Sequence, residues 1–284
     1  MNTAQPSRTA VRVALRRAAH QILDTPLVFN DPLALRMIGP EVAAALEKNP
    51  ARFEGQLGSS TLRAFLAVRS RIAEDALAKA VANGVRQYVV LGAGMDTYAY
   101  RQAVPGLRVF EVDYPTTQDW KRMRLKESGL VAPDSLTFVP VDFEHQSLGD
   151  SLIAAGLASA EPAFFSWLGV TPYLTRAAVW ATLTTVAGLT TAGGGITFDY
   201  AVPPSSLNVF QRARFAVLAQ RVAAADEPFQ AFFEPAAMKQ KLIDLGFADV
   251  RDRGPDALNR KYFANRTDGL AVGAMGHVVT AWSK

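Results

Sequence analysis

Residues 89–101 read VVLGAGMDTYAYR, an apolar run ending in two glycines one residue apart. In an open α/β sheet the first strand-to-helix loop is where glycines let the backbone approach a ligand closely. Gly92 and Gly94 are the candidates, and Asp96 or Thr97 can cap the helix that follows. A tight turn with no ligand would use the same two glycines. The next apolar run ends FEVD, and its Asp113 falls about 20 residues beyond the glycines, where a dinucleotide or nucleoside site places its ribose-binding carboxylate. A carboxylate accepts from both hydroxyls of a ribose, which a neutral side chain does less well. Glu111 points to the same face by strand alternation and is a second candidate; the other account of it is a salt-bridged strand acid.

A third run ends VDFE, which puts Asp142 and Phe143 where an adenine would meet an acceptor for its exocyclic amine and an apolar neighbour for its ring. Asp142 as a simple turn or N-cap residue is the competing reading. Arg69 falls inside the apolar stripe of a helical segment. A guanidinium there is costly unless a carboxylate pairs with it, either a ligand's or an acid of the sheet. Arg71 faces roughly the opposite way, as a surface or lid residue would. His20 and His277 are candidate bases, although a lone His is more often packed or exposed without a role, and no catalytic residue is assigned. Tyr173 and Trp167 lie just past a strand end and border either an acceptor pocket or the core, while Phe229, Phe232 and Phe233 suit a lid, a pocket wall or a surface patch.

These residues need a scaffold, and the pattern supplies one. After Gly84, short apolar runs alternate with helical segments: QYVVLG (87–92), LRVFEVD (107–113), LTFVPVD (136–142), AFFSWLG (163–169) and GITFDYAV (195–202). Runs of that length separated by helices indicate a doubly wound, mainly parallel α/β sheet. Helices are expected over 7–24, over 31–49 with Asp31 as N-cap before Pro32 and Gly39-Pro40 punctuating the stretch, and from Ser59 to Asn83 with Leu62, Phe65, Leu66, Ile72, Ala73, Ala76, Leu77 and Ala80 on one stripe. Further helices over 207–225 and 235–245 precede a final strand at 274–282.

Composition narrows the function. The formal charge is +4, and the 30 Lys and Arg are scattered, so a small-molecule substrate is expected and a nucleic-acid partner is not. The chain contains no Cys, which excludes disulfides, thiolate metal sites and a Cys nucleophile. Three widely spaced His lack metal-ligand spacing, so no metal is expected. No apolar run reaches membrane-spanning length and the first residues lack a secretory pattern, so neither a membrane partner nor export is expected and a cytoplasmic location is.

The segments AVRSRIAED, VVLGAGMDTYAYR, FEVDYPTTQDWKR, FVPVDFE and FFSWLGVTPYLT together resemble one branch of the class I methyltransferases. It is the branch that holds the leucine carboxyl methyltransferase-like and polyketide O-methyltransferase-like enzymes, and LGAGMDT followed by EVDYP is its most specific mark. NDPLA near the start and the stretch from Tyr262 to Trp282 extend the likeness to most of the chain. The resemblance implies a Rossmann-like methyltransferase over 1–284: an N-terminal helical cap (1–84), a cofactor-binding core (85–202), a helical lid insertion (203–234) and the end of the sheet (235–284). It implies S-adenosyl-L-methionine as cofactor, with Arg69 on the methionyl carboxylate, Gly92 and Gly94 at the loop, Asp113 on the ribose, and Asp142 with Phe143 at the adenine. It also implies O-methylation of a carboxylate or hydroxyl on a small molecule such as a secondary metabolite. Leu168 stands where carboxyl methyltransferases of the family often carry a Glu, which argues against a protein-phosphatase substrate. Methyl transfer is an in-line displacement that needs positioning and exclusion of water more than an acid or base. Two other readings use the same residues: a nicotinamide-dependent oxidoreductase, although Tyr98 and Ala99 occupy the region of its third glycine, and a nucleoside-binding regulatory protein without turnover.

Overall fold

The apolar runs are unbroken because both faces of the sheet they form are covered, so every side chain along a strand meets hydrocarbon. The computed structural model describes residues 8–50, 60–224 and 228–284. Three helices come first, α1 (Arg8–Leu23), α2 (Ala34–Ile38) and α3 (Pro40–Lys48). The long α4 (Ser60–Ala82) then leads into β1 (Gln87–Leu91). The alternating part continues with α5 (Tyr98–Arg101), β2 (Arg108–Asp113), α6 (Pro115–Glu127), β3 (Leu136–Pro140), α7 (Leu148–Ala154), β4 (Ala163–Trp167), α8 (Arg176–Leu189) and β5 (Gly194–Ala201). After it come α9 (Val209–Ala223), α10 (Pro235–Asp244), β6 (Asp249–Arg253), α11 (Pro255–Tyr262) and β7 (Gly276–Trp282). Residues 7, 59 and 225, where three of the expected helices begin or end, lie outside the described residues.

The seven strands lie in the order β3-β2-β1-β4-β5-β7-β6. The first five run parallel, and β7 enters antiparallel between β5 and β6. This is the doubly wound, mainly parallel sheet expected. Val89, Leu91, Phe110, Val112 and Phe165 project to one face, against Leu152 of α7, Leu183 of α8 and Leu242 of α10. Tyr88, Val90, Val109 and Phe164 project to the other, under Ala76, Leu77 and Ala80 of α4. Winding reverses between β1 and β4, and this is where an open sheet leaves a crevice at its carboxyl ends. Among the described residues no helix is long and apolar enough to cross a membrane.

The stretch 31–49 is helical in two pieces that meet at Gly39-Pro40, as expected: Gly39 breaks the helix with its φ of 87° and Pro40 restarts it. Asp31 stands two residues before Leu33, the N-cap of α2, and its buried carboxylate has two roles: it accepts the Leu33 N–H at 3.1 Å and also takes the Arg17 Nε at 2.5 Å and the Thr97 hydroxyl at 2.8 Å. Finally, α11 has no counterpart in the sequence reading because Leu258 is its one buried residue, too little for a visible stripe.

Candidate active site

A pocket of about 360 Å³, within the range of small-molecule sites, opens at the carboxyl ends of the central strands. Its wall contains Arg69, Gly92, Gly94, Asp113, Asp142 and Phe143, so six residues from four separate segments converge on one cavity. Val13 and Arg17 of α1 and Leu66 of α4 close it from the N-terminal side, while Gly169, Val170, Tyr173 and Gln230 close it from the other.

The local geometry follows from the turn that each strand makes. Gly92 has a φ of 64°, and a Cβ there would lie 2.2 Å from Val170 Cγ2, so the β1 turn and the segment after β4 can approach only at glycine. Asp113, the last residue of β2, accepts from the backbone N–H of Gly94 and, at 2.7 Å, from that of Tyr114. Burial still pushes its carboxyl above the usual value, against the pull of those two donors. Asp96 rather than Thr97 caps α5 through its side chain, accepting from Tyr98 N at 2.8 Å. Burial opposes ionisation of Asp96, but Arg17, Lys121 and Arg101 outweigh it and hold the carboxyl below its usual value.

Asp142 is both pocket wall and turn residue, accepting from Glu144 N at 2.9 Å with His145 Nδ1 at 3.0 Å. Phe143 lines the pocket and stacks on Trp167 with ring centroids 6.3 Å apart. Arg69 joins the two accounts weighed for it, since it lines the pocket and also donates to Asp199 of β5 at 2.9 Å. Asp199 accepts in addition from Gly169 N. A guanidinium carries five N–H donors in a fork, so one bond to Asp199 fixes Arg69 while leaving donors for a ligand.

Other candidates are placed elsewhere. Glu111 shares the face of Asp113 but sits one pleat back, beneath α6, where Lys121 donates to it at 2.6 Å, so it is the salt-bridged strand acid and not a pocket residue. Burial pushes its carboxyl up to about 7. Trp167 is fully buried in the core, as is Phe233. Phe229 and Phe232 pack with Phe215 of α9, outside the pocket wall. His20 accepts the Val28 and Phe29 N–H groups through Nε2 and holds Asp24 through Nδ1, a packing role. His277, near the start of β7, is held by Asp252 of β6 at 2.9 Å. Neither lines the pocket, and Arg71 is exposed beside Asp75. Arg17, Gly169 and Asp199 were not singled out from sequence. Asp199 had a readable signal, as a lone acid inside an apolar strand that must find a cation.

Comparison with known proteins agrees with this geometry. A family model described as leucine carboxyl methyltransferase matches residues 10–187. YktD of Bacillus subtilis (strain 168), named for S-adenosyl-L-methionine-dependent methyl transfer, is 30% identical over 100% of both chains. A protein of Mycobacterium ulcerans (strain Agy99), named for the same activity, is 34% identical over 67% of this chain and 64% of its own. A crystal structure of a Bordetella parapertussis protein covers 98% of this chain and 97% of that one at 14% identity with a TM-score of 0.52, a likeness of fold. Because the family model spans well over half of the chain and YktD matches it from end to end, the chain belongs to the leucine carboxyl methyltransferase family and is an S-adenosyl-L-methionine-dependent methyltransferase.

Proposed function

We propose that the pocket at the strand ends holds S-adenosylmethionine, and that the enzyme methylates an oxygen, of a carboxylate or a hydroxyl, on a small molecule such as a secondary metabolite. The reading places it in the cytosol, without a nucleic-acid or membrane partner. The observation that carries it is the convergence of Arg69, Gly92, Gly94, Asp113, Asp142 and Phe143 on one cavity.

The donor set fits the cofactor part by part. A carboxylate has about four lone-pair sites, and the two backbone donors on Asp113 leave as many for the two hydroxyls of a ribose. Arg69, braced by Asp199, suits the methionyl carboxylate. Asp142 and Phe143 offer an acceptor and an apolar face to an adenine. The absence of side chains at Gly92 and Gly94 lets the backbone lie against the ligand. Bound S-adenosylmethionine supplies a methyl group on a sulfonium, open to in-line displacement. What remains for the chain is to hold the acceptor in line and keep water out, the latter served by α1 and by Tyr173 with Gln230.

Calorimetric titration of the protein with S-adenosylmethionine, and separately with NADH, tests the cofactor assignment. Binding of the first alone is expected; binding of neither ends this reading of the pocket. A screen of small carboxylic acids and alcohols for methyl gain by mass spectrometry then tests the acceptor.

A further inference from the structure

We infer that Asp199, which does not itself line the pocket, is a positioning residue for methyl transfer: it locks the Arg69 guanidinium in register with the wall that follows β4, and so sets the depth at which the cofactor's sulfur sits. The inference rests on the cofactor placement above.

Asp199 is an acid at 3% exposure in a strand whose neighbouring residues, Phe198 and Tyr200, belong to the core. Two donors meet the cost of burying it, one on each oxygen: Arg69 Nη1 on Oδ2 at 2.9 Å and the Gly169 N–H on Oδ1 at 2.5 Å. With its oxygens engaged by different segments, the carboxylate cannot turn without giving up a bond. Its backbone carbonyl accepts in addition from the hydroxyl of Thr171, a fully buried residue, at 2.7 Å. One residue of β5 therefore ties Arg69 of α4 to the segment 168–174, from which Leu168, Gly169, Val170, Tyr173 and Leu174 line the pocket.

The guanidinium has little room to leave this position. It lies directly against the Gly169 backbone, where a Cβ would come within 2.7 Å of Nη2 and 2.8 Å of Nη1, and the Phe65 ring is 6.0 Å from its Cζ. In S-adenosylmethionine a short saturated chain joins the carboxylate to the sulfonium, so a fixed guanidinium at one end and a fixed nucleoside at the other leave one place for the sulfur. In-line displacement is sensitive to that place, since a misplacement of about 1 Å can cost about a hundredfold in rate. A mobile cation would attract the carboxylate equally well but would let the sulfur slide.

The test is calorimetry with two ligands, S-adenosylhomocysteine and S-adenosylcysteine, the second one methylene shorter between sulfur and carboxylate. The wild type is expected to bind the shorter ligand about tenfold more weakly or worse, because it cannot span a fixed nucleoside site and a fixed guanidinium, and Asp199→Asn should narrow the gap to about threefold or less. Two other roles for Asp199 leave that ratio unmoved. A brace for the fold alone changes the melting temperature, and partial neutralisation of Arg69 acts on both carboxylates alike. An unchanged ratio in folded Asp199→Asn therefore overturns the inference, as does a wild type that binds the two ligands equally. If Asp199→Asn does not fold, Asp199→Glu carries the test: it keeps the charge pair but pushes the guanidinium toward the pocket, which should favour the shorter ligand, and an undiminished ratio overturns the inference there too. Failure of the wild type to bind S-adenosylhomocysteine, or unchanged binding by Arg69→Met, is a different result and removes the cofactor placement on which the inference stands.

Discussion

Replacing Gly169 with alanine would separate the two tasks of Arg69. Gly169 has a φ of 76°, and a Cβ built there lies 2.7 Å from Arg69 Nη2 and 2.8 Å from Nη1. The backbone part of the cost is that of an L side chain in the left-handed region, about 1–2 kcal/mol. At roughly 2–4 °C per kcal/mol for a domain approaching this size, the melting temperature should fall by a few degrees. The steric part is different in kind. A guanidinium is the end of a flexible chain and can swing aside, but doing so breaks its 2.9 Å bond to Asp199 and takes it off the pocket wall. If Arg69 holds the methionyl carboxylate, a charge-assisted bond worth about 1.5–3 kcal/mol is lost, and S-adenosylmethionine binds roughly ten- to a hundredfold more weakly. The assay is calorimetry of Gly169→Ala, Arg69→Met and the double variant, with thermal unfolding of each. In the Arg69→Met background, the Gly169 change should still lower the melting temperature yet cost little further affinity. Unaltered S-adenosylmethionine affinity in a folded but less stable Gly169→Ala protein would refute the role given to Arg69.

Three further outcomes are expected. Asp113→Ala should weaken S-adenosylmethionine by about 1–3 kcal/mol in calorimetry while the protein stays folded, and an unchanged Kd would remove Asp113 from the ribose. Asp24→Ala should destabilise the fold by about 1.5–3 kcal/mol in urea, because the buried carboxylate that takes two bonds from Arg63 at 2.8 Å and holds His20 Nδ1 at 2.6 Å is lost; a loss below about 1 kcal/mol would contradict that role. For Glu111, burial raises the carboxyl from 4.5 to about 7, so the folded protein binds that proton more tightly than the unfolded chain. Its contribution to stability is full below pH 4.5 and is lost as pH rises through about 7. The melting temperature of the wild type relative to Glu111→Gln should therefore decline across that window, and a flat difference would contradict it.

Much of this protein was readable from composition and order alone. Continuous apolar runs spaced by helical segments signal a sheet buried on both faces, because the strands need no polar side, and five such runs became β1 to β5. The loop residues at their ends, Gly92, Gly94, Asp113, Asp142 and Phe143, were recognisable because a strand end has a fixed place in a doubly wound sheet, so spacing along the chain converts directly into position. Long-range partners carry no such spacing. Glu111 and Asp113 are two residues apart on one strand and one face, and the fold alone decided that Lys121 covers the first while the second reaches the pocket. Arg69 posed a demand for a carboxylate, but only packing could show that Asp199, 130 residues away, meets part of it and that Gly169 leaves the room to do so. Charge and hydropathy state what a side chain requires, and which group satisfies it is settled by tertiary contacts that local pattern does not encode.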